Sequence, residues 1–426
     1  MKMSWTCLVR KAILAGVILA GTATAADNAV FSSMIQGAAS NPGWPDWSKS
    51  APSYQRIGQY SVERLNKILT EERAAFSGFA VEFPKATNAV TLYKVVYDTV
   101  IPEDGNRPVK ASGLIAVPEV DEWHPPVLFY QHGTVFSRDE VPSDIEKSAE
   151  TRLVVAAFAA RGYIVIAADY LGKGVSDEPE AWLVKESSAQ VCVDLLAASR
   201  TVLADLKKKP VELFLSGWSQ GTFTAAAFLE RLENTGVPVR AAAFASAPND
   251  IYLCVNRWIH VPSTLDVNWL TGAAALLIHS YENYYKLPGL AAAAIKPQYQ
   301  QTARDLYLNR ITWETAEKTL PFYVKDFLRP EFIERNSPAA SLLFRQMQAN
   351  RVYNWRFKTP TFYYYGDIDE VVTPYMVQLP VEYQKALGGT LPVAVAAGEK
   401  ADHRGTFLFG LADQQKRFDA MLSKKR

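Results

Sequence analysis

Gly217-Trp218-Ser219-Gln220-Gly221 lies between a short apolar run, Leu213-Phe214-Leu215, and an Ala-rich segment with helical patterning, all within the stretch Val211–Phe223. Strand, sharp turn and helix in that order hold the middle residue of the turn in a strained backbone conformation. Glycines at Gly217 and Gly221 let the strand and the helix approach closely enough to make that turn. Ser219 then stands above a sheet edge. A serine so placed is a nucleophile if a base takes its proton, and the backbone N–H of the next residue, Gln220, can hold the oxyanion that forms. An ordinary glycine-rich turn has the same five residues, so the rest of the chain must supply a base, an acid and a second oxyanion donor.

The chain has five histidines, His124, His132, His260, His279 and His403. Only His403, in Ala401-Asp-His-Arg-Gly405, follows the last predicted strand, where a loop can drop onto the turn. Two aspartates, Asp367 and Asp369, follow the extended run Thr361–Tyr365 in Gly366-Asp-Ile-Asp-Glu-Val-Val372. Gln131-His132-Gly133-Thr134 follows another apolar run, Val127–Tyr130, and His132 there reads as a brace for its loop. Asp169-Tyr-Leu-Gly-Lys-Gly-Val-Ser176 reads as a tight turn beside the site, braced by Asp169. No histidine or cysteine pair has metal-ligand spacing, and there is no phosphate loop or nucleic-acid motif.

These segments need a scaffold, and the patterning supplies one. From Pro126 onward, apolar runs alternate with helical segments, as in a parallel sheet covered on both faces. Val127–Tyr130, Tyr163–Ala168, the run before Ser219, Arg240–Ser246 and Thr361–Tyr365 are the strands. Ser143 with Glu146 reads as a capping box for a helix with Ile145, Ala149, Leu153, Ala156 and Ala160 on one face and Gly162 at its end. A second helix runs from about Ser187 to Lys209. Ahead of this array, Asp27 to about Ser53 reads as an irregular arm and Ser61–Ala75 as a helix, while Val90–Val100 and Val109–Val117 form an antiparallel hairpin at the sheet edge. Residues 253–357, helical in pattern and dense in Trp and Tyr, interrupt the array at the carboxyl ends of the strands.

Taken in order, His-Gly after one strand, Asp-Tyr-x-Gly-x-Gly after the next, Gly-Trp-Ser-Gln-Gly, Gly-x-x-Asp-x-x-Val and a late His resemble an exported α/β hydrolase of the secretory lipase type. The resemblance covers roughly Val90 to the C-terminus. It implies a mostly parallel central sheet with helices on both faces and a large helical cap, a triad in the chain order Ser219, acid, His403, and action without a metal or organic cofactor. Gly366, Asp369 and Val372 match the acid loop of such enzymes, which selects Asp369 and leaves Asp367 to fix the loop by bonding backbone N–H groups. The second oxyanion donor falls on the Thr134 N–H first and the Gly133 N–H second. The division implied is an arm and helix over residues 26–89, a core of 90–252 with 358–426, and a cap of 253–357.

Lys2, Arg10 and Lys11, the apolar stretch Ala12–Ala20 and Ala23-Thr-Ala25 have the form of a secretory signal over residues 1–25, cleaved near Ala25. Export to the periplasm or the medium is expected. Loss of those three cations takes the net charge from +1 to −2, which implies no polyanionic partner, and no later stretch is apolar enough to span a bilayer. Of the three cysteines Cys7 leaves with the signal, and Cys192 and Cys254, in an oxidising compartment, are expected to pair, two free buried thiols being the alternative. The function expected is hydrolysis of small-molecule or lipid carboxylic esters through an acyl-enzyme on Ser219. A cap rich in Trp and Tyr, in segments such as Trp269–Ser280 and Leu287–Ile295, should wall an apolar acyl pocket whose optimum lies at short to medium chains. A serine peptidase or an acyltransferase on the same core is the alternative.

Overall fold

A computed structural model of the protein describes residues 51–423 apart from 122–123, 211 and 335–336. The expected signal segment and most of the arm lie outside the described residues. Nine strands form one sheet in the order β1-β2-β3-β5-β4-β6-β7-β8-β9. The first three are β1 (Ser53–Tyr60), β2 (Val90–Ile101) and β3 (Arg107–Pro118); β2 and β3 make the expected hairpin, in register from Val90↔Pro118 to Ile101↔Arg107. β4 (Val127–Gln131), β5 (Ile164–Ala168), β6 (Leu213–Trp218), β7 (Ala241–Ala245), β8 (Thr361–Gly366) and β9 (Val393–Gly398) are mutually parallel, and β3 joins them antiparallel along β5.

Every residue of β4, β5, β6 and β7 is buried, so these strands read as largely apolar runs, broken only by Gln131 and Ser216. The two edges differ from expectation. β1 pairs with β2 outside the hairpin, and β9 pairs with β8; both are largely exposed and carry no alternating apolar pattern to reveal them.

The helices are α1 (Val62–Lys67, continued by a π turn, Ile68–Glu72, and Arg73–Phe76), α2 (Ala149–Phe158), α3 (Lys185–Asp205) and α4 (Gln220–Thr235). The capping box predicted at Ser143 is displaced. Ser143 sits in the 3-10 turn Pro142–Asp144, and Ser148 caps α2 by accepting the Thr151 N–H at 3.3 Å. Gly162 closes the segment at φ 98°, as a left-handed cap requires. One face of the sheet packs on α1, α2 and the last helix, α11 (His403–Ser423), through a core that includes Leu65, Leu153, Phe158, Phe407, Leu411 and Phe418. On the other face Phe129 of β4 meets Phe228 of α4 at 4.9 Å, and α3 packs on β2, where the Tyr97 hydroxyl donates to Val191 O at 2.9 Å.

Between β7 and β8 the chain forms α5 (Ile251–His260), α6 (Trp269–Tyr284), α7 (Leu290–Ala294), α8 (Pro297–Tyr307) and α9 (Pro338–Ala349), with three four-residue helical turns between α8 and α9. The Asp250 carboxylate caps α5 by accepting the Leu253 N–H at 3.1 Å, so the helical run starts at Ile251. Three tyrosine hydroxyls of these helices donate to backbone carbonyls of one core segment: Tyr281 to Leu183, Tyr284 to Pro179 and Tyr307 to Glu180. The stretch at 179–183 thereby fixes the inserted helices to the core. α10 (Gln378–Leu387) connects β8 to β9.

Candidate active site

Ser219 directly follows β6 with φ 54° and ψ −123°, a region that non-glycine residues scarcely populate. The neighbouring backbone enforces this. A Cβ on Gly217 would lie 2.5 Å from Gly221 O, and one on Gly221 would lie 1.9 Å from Gln131 O, so neither position admits a side chain. The Ser219 N–H donates to Ala245 O at 3.0 Å, which ties the turn to β7. Ser219, Trp218 and His403 line a cleft of about 950 Å³.

His403 starts α11, after β9. Its Nδ1–H donates to both oxygens of Asp369, at 3.0 and 3.1 Å, which leaves Nε2 as the acceptor nitrogen. The Asp369 carboxylate also accepts the N–H groups of Val371 and Val372 at 3.0 and 2.9 Å. The loop-fixing role expected of Asp367 therefore belongs to Asp369, and the Asp367 side chain is exposed. Burial would raise the Asp369 carboxyl, but the charge and hydrogen bond of His403 outweigh it and hold the group below its ordinary value. Burial would likewise lower His403, yet the Asp369 carboxylate holds the imidazole above its ordinary value. Two contacts hold the His403 main chain and one packs its ring: Trp218 Nε1–H donates to His403 O at 3.1 Å, the His403 N–H donates to Glu370 at 3.0 Å, and the Trp218 ring lies 5.0 Å from the imidazole.

The loop after β4 brings Gly133 and Thr134 beside the turn, with Thr134 lining the same cleft as Ser219. The Gly133 N–H, the second choice for the oxyanion donor, is already bonded to the Glu150 carboxylate at 2.8 Å. Thr134 and Gln220 remain. Glu150 also accepts a hydrogen bond from the Tyr130 hydroxyl, and its carboxyl is pushed up to about 7, chiefly by burial. Nothing in the sequence reading singled out Glu150. The signal was available, since a carboxylate three residues before Leu153 falls on the buried face of α2. His132 is buried, stacked on Tyr170 at 4.2 Å, and donates from Nδ1 to Gly133 O at 2.8 Å; burial lowers its pKa to about 4, so it braces the loop as a neutral ring. Asp169 accepts hydrogen bonds from the Ser112 hydroxyl and the Ser143 N–H and braces the next loop. From that loop the buried Lys173 pairs with Glu180 at 3.0 Å and reaches Val135 O and Asn309, linking the loop after β4 to the insertion.

The expected disulfide is absent. Cys192 and Cys254 are free buried thiols. Cys192 lies within α3 among Gln131, Tyr97 and Tyr170, whereas Cys254 lies on α5 beside Asp250, Arg257 and Asp369, so the two sulfurs occupy separate surroundings. Burial raises both thiols well above their ordinary value. Among the described residues no group of three or more His, Cys, Asp or Glu could hold a metal ion, and no helix is long and apolar enough to cross a membrane. The segment Leu287–Ile295, expected to wall the pocket, lines neither of the two cavities that meet at Ser219; α7 packs within the insertion, on α6 and α9.

A buried histidine–carboxylate pair beside a serine on a strained strand-to-helix turn, in this sheet order, defines an α/β hydrolase. The chain belongs to the family described as serine aminopeptidase, S33, whose model matches residues 144–388. Among solved structures it is similar to a putative hydrolase from Legionella pneumophila subsp. pneumophila str. Philadelphia 1, with 22% identity over 87% of this chain and 97% of that one and a TM-score of 0.75. It is also similar to the rice cell wall degrading esterase LipA from Xanthomonas oryzae, with 22% identity over 88% and 98% and a TM-score of 0.73. Candida antarctica lipase A is more distant, at 16% identity over 82% and 77% and a TM-score of 0.58. No curated protein matches the chain significantly. The protein is a hydrolase of this superfamily.

Proposed function

We propose that the protein is an exported carboxylic ester hydrolase acting through an acyl-enzyme on Ser219. The observation that carries this reading is the coincidence, in one cleft, of a serine in a forbidden backbone conformation with the hydrogen-bonded pair His403–Asp369. In the first step Ser219 Oγ attacks the ester carbonyl while His403 Nε2 takes its proton, and the N–H groups of Thr134 and Gln220 hold the oxyanion. Collapse breaks the ester C–O bond as His403 returns the proton to the departing alcohol. Water then repeats the sequence on the acyl-serine and releases the acid. Asp369 holds the imidazole tautomer and stabilises the imidazolium. The inserted helices serve as a cap over the serine. Export rests on the signal-like residues 1–25. Ester chemistry draws further support from the esterase and the lipase among the similar structures.

The family's description favours a second reading, a serine peptidase on the same residues. Initial rates on aryl esters beside the matching aryl amides and aminoacyl amides separate the two. Ester kcat/KM several orders of magnitude above the amide values is expected. Amide turnover equal to that of the esters would assign the site to peptides instead.

A further inference from the structure

Two cavities meet at Ser219, and their chemistries differ. The wide cleft carries His403 together with charged side chains, among them Arg138, Glu140, Arg310 and Arg404, whereas the second cavity, of about 20 Å³, carries Gln220 and an almost wholly apolar wall. His403 lines the first and not the second. If Ser219 and His403 act as proposed above, the leaving alcohol must be reachable by His403 to receive its proton, so the alcohol belongs in the wide cleft. The acyl chain is then directed into the small cavity, past Thr134 and Gln220, which line it.

We propose that this small cavity is the acyl-binding subsite and that it restricts the enzyme to acetyl and propionyl esters of bulky polar alcohols. The assignment rests on the ester-hydrolase reading of Ser219. Its wall is a helix stripe: Ile251, Cys254, Val255 and Trp258 fall at i, i+3, i+4 and i+7 on α5 and all face the cavity. Val371 and Val372 of the acid loop and Ala273 of α6 help to close it. A cavity of this size holds only one or two groups as large as a water molecule or a methyl.

Enlargement by rotation of the walls is resisted by hydrogen bonds at both indoles. Trp258 Nε1–H donates to Val371 O at 3.2 Å, and Trp182 Nε1–H donates to Thr134 Oγ1 at 3.2 Å. Both rings are buried, so letting go of either partner leaves a buried N–H without an acceptor. The same two bonds couple the pocket to the catalytic loops, one to the acid loop and one to the oxyanion loop.

The test is the kcat/KM profile of the full chain against nitrophenyl esters from acetate to decanoate, with Ile251→Ala and Val255→Ala measured in parallel. The expected result is a maximum at two or three carbons and a fall of at least about 10-fold by six carbons, since one misfitted methylene in such a pocket changes kcat/KM by roughly 10-fold or more. Each alanine variant should move the maximum up by about one to three carbons, because removing methyl groups from the wall makes room for methylenes of the substrate. Two positions are used so that one failing to fold leaves the other, and the wild-type profile alone can overturn the proposal. A wild-type maximum at four carbons or beyond, or variants whose maxima stay at the wild-type length, would overturn the subsite while leaving the ester-hydrolase reading intact. No hydrolysis of any ester in the series would overturn both.

Discussion

The turn at Ser219 and the inserted helices between β7 and β8 line the same cavities, yet their residues are fixed in different ways. At the turn the backbone leaves no choice. Gly217 and Gly221 leave no room for a Cβ against other main-chain atoms, and the close approach of β6, α4 and the end of β4, with the Ser219 N–H bonded to β7, holds Ser219 in its strained conformation. In the insertion, position is set by helix stripes and by tyrosine hydroxyls bonded to main-chain carbonyls, interactions in which the side chain does the holding and several residue types could line the same wall. On the proposed reading, the chemistry sits where sequence freedom is smallest and substrate choice where it is largest.

The sharpest way to break this contrast is at the acid. Asp369→Asn should lower kcat by on the order of 10⁴-fold, because an amide no longer selects the reactive tautomer, while Asp367→Asn should change it by less than about 2-fold. Reversal of that ranking in steady-state rates would move the acid to Asp367. The same carboxylate sets the pH dependence. His403 must be neutral to accept the serine proton, and Asp369 holds its pKa above the ordinary value, so kcat/KM should fall with decreasing pH through a midpoint above 6.5. In Asp369→Asn the residual activity should show that midpoint at lower pH.

A backbone test comes next in size. Gly221→Ala places a Cβ against Gln131 O, and chemical denaturation should register a loss of roughly 3 kcal/mol or more, with activity lost as the turn opens. A variant as stable and active as the parent would show that the turn is not constrained as described. The insertion should respond far more gently. Tyr281→Phe or Tyr284→Phe removes one hydroxyl bonded to the core, and each should cost about 1 kcal/mol with kcat within a few-fold of the parent. Equal losses at the turn and at these tyrosines would erase the distinction.

The same contrast governs how much could be read before the fold was known. The glycine spacing around Ser219 and the apolar runs of β4 to β8 were legible because close backbone approach and burial on both faces restrict residue type directly. β1 and β9 were not, because exposed edge strands are under no such restriction. The α2 cap went to Ser148 rather than Ser143 since Pro142 draws Ser143 into a 3-10 turn, and two nearby serines look alike in sequence. Pairing of Cys192 with Cys254 followed from the expected compartment alone, and only the fold reports that their surroundings differ. Glu150 is marked in the sequence only by its place on the buried face of α2, whereas its bond to the Gly133 N–H is a tertiary contact that no local pattern encodes.

The central claim is that Ser219 is the nucleophile and His403 its base. Inactivation of the full chain by a small-acyl fluorophosphonate, followed by peptide mass spectrometry, tests it most directly. A single adduct on Ser219 in the parent protein, with labelling slowed by orders of magnitude in His403→Ala although that variant remains folded, is the predicted result. An adduct on another residue, or labelling of Ser219 at the parent rate in His403→Ala, would contradict it.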